Sequence, residues 1–246
     1  MKHRATVLAE DNHCLALDKP AGLLTQGDAT GEPTLVDWAR VYLKTEYAKQ
    51  GNVYVGLVHR LDRPTSGVVL LARTSKAAAR LSQQFREGSV EKVYWAVVEG
   101  RCPDDEGEWT DTLSKDERRN VVEIVAKETQ GSREARLSFR VLGRSERTST
   151  LELRPITGRS HQLRVQLAAR GLPIVGDRKY GAKTALPAED GGFRVALHAR
   201  ALTFTHPTRK EAISVVAPVP ADWPSSSRGT MGTTTRSSTR AEFPGP

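Results

Sequence analysis

Residues 56–73 read GLVHRLDRPTSGVVLLAR, and TSKAAARLSQQFREG follows over 74–88. Pro64 and Gly67 mark a turn. The run 67–73 is apolar on both alternating faces, the pattern of a strand buried on both sides of a sheet. Thr74 then stands where a helix N-cap belongs. Ala78, Leu81 and Phe85 recur at helical spacing, and Gly88 supplies a C-cap, which predicts a helix ending at Glu87. Upstream, 5–9 and 13–17 read as short strands around an Asp11-Asn12 turn. Thr34 with Asp37 predicts a second capped helix, with Leu35, Trp38, Ala39, Tyr42 and Leu43 along one face. Downstream, strands are predicted at 90–99, 136–142, 150–154, 194–198, 202–205 and 212–216. A helix is predicted at 159–170, closed by Gly171 before Pro173. Adjacent strands joined by turns and broken by few helices give an α+β fold on a largely antiparallel sheet.

The chain has 246 residues, enough for one sizeable core, and no Pro/Gly-rich linker or internal repeat divides it. A single domain is therefore expected over 1–224. The remaining residues, 225–246, contain ten Ser or Thr among 22 and bury too little to order themselves, so they read as a disordered tail. No run approaches the ~18 apolar residues of a membrane span, and the start lacks a secretory leader, so no membrane partner is expected. Two cysteines, Cys14 and Cys102, cannot build a disulfide framework, which suits a reducing cytoplasm. The formal charge of +8 points to a polyanionic partner, nucleic acid first.

Three segments could carry chemistry. In 59–67, Arg60 and Arg63 flank the carboxylate of Asp62. An Asp among arginines in a loop is usually an ordinary ion pair; here the loop feeds a buried strand, which holds Asp62 at the mouth of the sheet. In 157–165, TGRSHQLRV is a glycine-led turn into a helix that puts His161 and Arg164 on one face. Seven basic residues and the single acidic Asp177 lie between Arg154 and Lys183, a balance suited to phosphate. Ser160 and His161 are chain neighbours that face apart, a poor hydrolase dyad. In 92–100, Lys92, Tyr94, Ala96 and Val98 share a strand face. Tyr94 there is either a core tyrosine, the commoner outcome, or a platform for a base. The six histidines lack metal-ligand spacing, and no phosphate-binding loop is present, so neither a metal nor a nucleotide cofactor is expected.

Together with KPAGLLTQG at 19–27, KVYWAVVEG at 92–100, the continuation of TGRSHQLRV through 181 and LHARALTFTHP at 197–207, these segments resemble the RluA-type family of RNA pseudouridine synthases. The resemblance implies a mixed, mainly antiparallel central sheet with a cleft and flanking helices, and a uridine-to-pseudouridine isomerase acting on structured RNA, rRNA or tRNA. Asp62 matches the catalytic aspartate and Tyr94 the tyrosine that packs on the target base. Arg164 matches the basic partner of the aspartate, and Arg60 the arginine that fills the space left by the flipped uridine. Arg63, Lys92, Arg159, His161 and Gln162 complete the set expected against RNA. Reactant and product share one formula, so no cofactor is implied. Gln166 stands where many members have His, a departure bearing on RNA contacts. The chain starts at what resembles the catalytic domain, without the extra N-terminal RNA-binding module of many relatives, and a monomer is expected. A non-catalytic RNA-binding protein on the same scaffold is the competing reading. A hydrolase built on Asp62 and His161 is weaker, since it predicts RNA cleavage or base release.

Overall fold

The computed structural model describes residues 4–188, 194–224 and 241–242. The strands in chain order are β1 (Thr6–Glu10), β2 (Cys14–Lys19), β3 (Gly56–Leu57), β4 (Ser66–Ala72), β5 (Glu91–Glu99), β6 (Glu106–Asp116), β7 (Val121–Ile124), β8 (Arg133–Arg144), β9 (Thr148–Pro155), β10 (Leu197–Thr205), β11 (Ala212–Val216) and β12 (Ala241–Glu242). The helices are α1 (Leu35–Glu46), α2 (Ser75–Glu87) and α3 (Gln162–Ala168), with a 3-10 turn at Arg178–Tyr180. The fold is α+β, with mixed, mostly antiparallel strand pairing and three α-helices among the described residues. Among the described residues no helix is long and apolar enough to cross a membrane. Both cysteines are free and buried. Apart from Ala241 and Glu242, which pair parallel to Ala9 and Glu10, the expected tail at 225–246 lies outside the described residues.

The residues gather in two compact units. The first holds the chain up to Glu91 together with Ala199–Pro218; the second holds Lys92–His198 and 219–224. In the first, β4 is buried at every position. It runs antiparallel to β2, with Cys14 opposite Ala72 and Lys19 opposite Gly67, and to the short β3. Val68, Leu70 and Ala72 pack with Ala16, Leu81 and Phe204 in one core, so the apolar run that predicts the strand is the run that fills the unit. Gly67 is obligatory here: its φ is +112°, and a Cβ would lie 2.3 Å from the Ala199 carbonyl oxygen. Both helix caps form as expected. Thr34 and Asp37 close a capping box on α1, Thr74 Oγ1 accepts from the Ala77 N–H at the start of α2, and Gly88 ends α2 in the left-handed region.

In the second unit the strands run in the order β5-β9-β8-β6-β7, each antiparallel to the next. Beside β5 the loop backbone adds further bonds, with Val97 N–H donating to the Ala196 carbonyl and Val175 N–H to the Val97 carbonyl. Ala96, Val98, Leu151 and Leu153 form a core against which Leu163 and Leu167 of α3 are buried.

Three departures from the sequence reading have local causes. The helix expected over 159–170 shrinks to Gln162–Ala168, because His161 takes a left-handed φ of +50° and the preceding residues form a loop. The strands β6 and β7 are absent from the sequence expectations: the inner face of β6 mixes Trp109 and Leu113 with Gly107 and Asp111, so its apolar alternation is broken. The two strands expected at 194–198 and 202–205 are one, β10, which carries the chain from the second unit back to the first.

Candidate active site

Asp62 lies in the half-exposed loop between β3 and β4, and its backbone is fixed on both sides. The Thr25 hydroxyl donates to the Leu61 carbonyl at 2.7 Å and accepts from the Leu61 N–H at 3.3 Å. The Gly22 N–H donates to the Arg63 carbonyl at 2.8 Å, and the Thr65 N–H donates to the Asp62 carbonyl at 3.1 Å. Beneath the loop, the Lys19 ammonium is fully buried. It donates to the carbonyls of Pro20, Leu23 and Arg63 at 3.0, 2.8 and 3.2 Å. Three donors meeting three carbonyls is the pattern a buried ammonium requires. Burial pushes its pKa down to about 7, with Arg63 in the same direction, while the charges of Asp62 and Asp18 pull it back up. The charge of Asp62 is thus felt at the buried Lys19 side chain within the same unit.

His59 anchors the other end of the loop. Its Nε2 accepts from the Leu70 N–H of β4 at 2.8 Å, which requires that nitrogen to be unprotonated, and its ring stacks on Phe85 of α2 at 4.5 Å. Arg60 is exposed and makes no hydrogen bond or ion pair among the described residues. Arg63, also exposed, donates through Nε to the Gly22 carbonyl and grips Glu32 with both terminal nitrogens at 2.9 and 2.7 Å.

In the second unit Arg164 on α3 is buried. Its Nε and Nη2 meet the two oxygens of Asp177, each at 2.7 Å. Its guanidinium carbon lies 5.0 Å from the centre of the Tyr180 ring. The Tyr180 hydroxyl accepts from the Val122 N–H at 3.0 Å and sits 2.8 Å from Nδ1 of His161. The carboxylate on that edge of Arg164 is therefore Asp177, which the sequence reading did not assign a partner. A signal was present: Asp177 is the single acid in the basic run from Arg154 to Lys183. Polar residues inside the turn-forming 19–27 were the corresponding signal for Lys19 and Thr25.

Gln162, expected against RNA, is buried. Its carboxamide oxygen accepts from Thr157 Oγ1 and the Arg159 N–H, and its nitrogen donates to the Arg136 carbonyl, so it shapes the loop before α3. Arg159 is half-exposed, with Nε donating to the Glu134 carbonyl. Gln166 is fully buried and donates to Asp111 and to the Ala135 carbonyl. On β5, Tyr94 is half-buried against the core of its unit. Lys92 is half-buried with no acidic partner among the described residues, and desolvation lowers its pKa.

Asp11, Cys14 and His206 bring three potential metal-ligand atoms within 4.8 Å of one another. Their bonding assigns them to structure. His206 Nδ1 accepts from the N–H groups of Thr208 and Arg209, so the ring proton sits on Nε2, 2.7 Å from Asp11. Burial pushes the Cys14 thiol up to about 12, and Arg209 also pairs with Asp11.

A family profile described as RNA pseudouridylate synthase matches residues 13–169. The chain belongs to that family. It is 36% identical over 217 residues to the dual-specificity RNA pseudouridine synthase RluA of Vibrio parahaemolyticus, covering 86% of this chain and 82% of that protein. It is 34% identical over 216 residues to the ribosomal large subunit pseudouridine synthase C of Buchnera aphidicola, covering 87% of this chain and 66% of that one, just under two thirds of its length. Among solved structures, Human RNA Pseudouridylate Synthase Domain Containing 4 matches with a TM-score of 0.73 at 25% identity, covering 88% of this chain and 89% of that one. The matched span contains Asp62, Tyr94 and Arg164; Asp177 and Tyr180 lie beyond it.

Proposed function

We propose that this pseudouridylate synthase family member isomerises uridine to pseudouridine in rRNA or tRNA, acting as a monomer in the cytoplasm. Family membership together with a carboxylate in a backbone-clamped loop carries the reading. The N1–C1′ bond breaks, the uracil turns, and a C5–C1′ bond forms. C5 gives up its proton and N1 gains one, so the formula is unchanged and no redox partner enters.

Asp62 acts on the ribose, as nucleophile or as the base that takes a sugar proton. Either role needs the ionised carboxylate. Arg164 is the cation assigned to pair with it, its fork oriented by Asp177. Tyr94 offers the flat face on which the detached uracil is kept and the phenol, or a water it holds, that receives the C5 proton. The target base must first leave its stack, at a few kcal/mol. Arg60, exposed and unpaired, suits the gap left behind. Arg63, Lys92, Arg159 and His161 supply attraction to phosphate.

The test is tritium release from RNA labelled at uridine C5, prepared from cells lacking this protein. Wild type is expected to release tritium with RNA length unchanged. Asp62→Asn is expected to release none while still binding RNA. Release by Asp62→Asn at the wild-type rate would overturn the role of Asp62. RNA binding without release by wild type would favour the non-catalytic alternative.

A further inference from the structure

A groove of about 680 Å³ runs over the first unit between the outer face of α1 and the extended segment 51–55. Nothing in the reaction above uses it. From α1 it is lined by Arg40, Val41 and Lys44, and from the segment by Asn52 and Tyr54. Val41 and Tyr54 are large exposed apolar groups, 56% and 48% accessible, beside two cations. Lys44 has no acidic partner among the described residues. Among the described residues Arg40 pairs with the exposed Asp37, at 3.0 Å and one helical turn away, a bond weak enough to be exchanged for another anion.

The Tyr54 ring is seated rather than loose. A Cβ on Gly56 would fall 2.9 Å from Tyr54 Oη, 3.2 Å from its Cε1 and 2.9 Å from the Cβ of Ala78, so the missing side chain is what lets the ring lie there. The backbone polar groups of Asn52, Val53 and Tyr54 make no hydrogen bonds among the described residues. The groove therefore combines an aromatic face, open backbone donors and acceptors, and cations on the facing helix. Stacking platforms lined by positive charge are how single-stranded nucleic acid is held without sequence readout, and the volume lies in the range of small-ligand sites, ~300–1,000 Å³.

We propose that this groove is an accessory site for a single-stranded segment of the RNA substrate, with a base stacked on Tyr54 and its phosphates against Lys44 and Arg40. The proposal rests on RNA being the substrate. It adds a contact surface that the catalytic residues do not supply.

The experiment titrates the full chain into a labelled oligouridylate at several salt concentrations, followed by anisotropy, with tritium release measured in parallel. Tyr54→Ala is expected to raise Kd about tenfold, and Tyr54→Phe to leave it near the wild-type value, since the ring is what stacks. Lys44→Ala is expected to lower the slope of log affinity against log salt by about 0.7, the share of one phosphate on a single strand. Wild-type affinity and slope in both alanine variants would overturn the site, as would a wild-type chain that does not bind oligouridylate. The two readings fail separately. No tritium release with Tyr54-dependent binding removes the isomerase and keeps the groove; release with Tyr54-independent binding does the reverse.

Discussion

Arg63 and Arg164 each grip a carboxylate through two nitrogens, at 2.9 and 2.7 Å for Arg63 and 2.7 Å twice for Arg164, yet their surroundings are opposite. The side chains of Arg63 and Glu32 are 44% and 47% exposed, whereas those of Arg164 and Asp177 are 6% and 1% exposed. Water screens the first pair and competes for both partners, so it contributes about 0–1 kcal/mol and can be exchanged for a phosphate. The second pair is held out of water, where removing one partner strands the other. A two-nitrogen fork thus serves an exchangeable contact in the first unit, end-on through Nη1 and Nη2, and a fixed element in the second, side-on through Nε and Nη2. The Asp62 loop is held through its backbone carbonyls, by the Thr25 hydroxyl and the buried Lys19 side chain, and the neighbourhood of α3 by a buried ion pair.

The comparison breaks most visibly at Asp177. Asp177→Ala is expected to destabilise the protein by about 3–5 kcal/mol, seen as a large drop in urea midpoint. Replacing both partners with apolar residues of similar volume should recover much of that stability while activity stays lost. A single variant with the wild-type midpoint would show that Arg164 does not depend on Asp177.

The next effect tests the backbone side of the contrast. His59→Phe keeps the stack on Phe85 and removes the acceptor from the buried Leu70 N–H, at about 1–3 kcal/mol. If the bond positions Asp62, kcat should fall with KM little changed. His59→Gln, whose amide oxygen can accept in place of Nε2, should restore part of it. Equal kcat in all three proteins would leave His59 a packing residue.

What was readable beforehand follows the same division. The buried strand β4, the two capped helices and the antiparallel character were legible because apolar periodicity and capping residues act locally. The Asp62 loop was legible as a motif. Its clamp was not, because Lys19 and Thr25 bond to carbonyls some forty residues away, and a backbone oxygen leaves no mark in sequence. Asp177 was visible as the lone acid of a basic stretch, but its partner was decided by packing. The strand β6 is not legible because Gly107 and Asp111 interrupt its inner face of Trp109 and Leu113, and the start of α3 is not legible because a left-handed His161 cannot be read from composition.

Lys19 gives a pH-dependent test. Its ordinary pKa is 10.5 and burial brings it to about 7 in the folded protein. Between those values the unfolded chain holds a proton that the folded one has released, so the Lys19 contribution to stability rises with pH across that window. Below about pH 7 it is flat, since both states are protonated. The difference in unfolding free energy between wild type and Lys19→Met should climb above neutral pH, by at most about 1.4 kcal/mol per pH unit. Parallel curves for the two proteins would mean that Lys19 keeps its proton in the fold.

The smallest expected effect falls on the exposed fork. Glu32→Ala should change stability by less than about 1 kcal/mol, because its ion pair with Arg63 lies in water. The Arg63 Nε bond to the Gly22 carbonyl survives the change, so the guanidinium keeps its direction and loses only its competitor. RNA affinity should then rise modestly, with a steeper dependence on salt by roughly the 0.7–0.9 expected of one additional phosphate contact. Arg63→Ala should move both quantities the other way. If Glu32→Ala instead lowers the midpoint as far as Asp177→Ala does, exposure is not what separates the two forks, and the Arg63–Glu32 pair is a structural strut of the Asp62 loop rather than an exchangeable one.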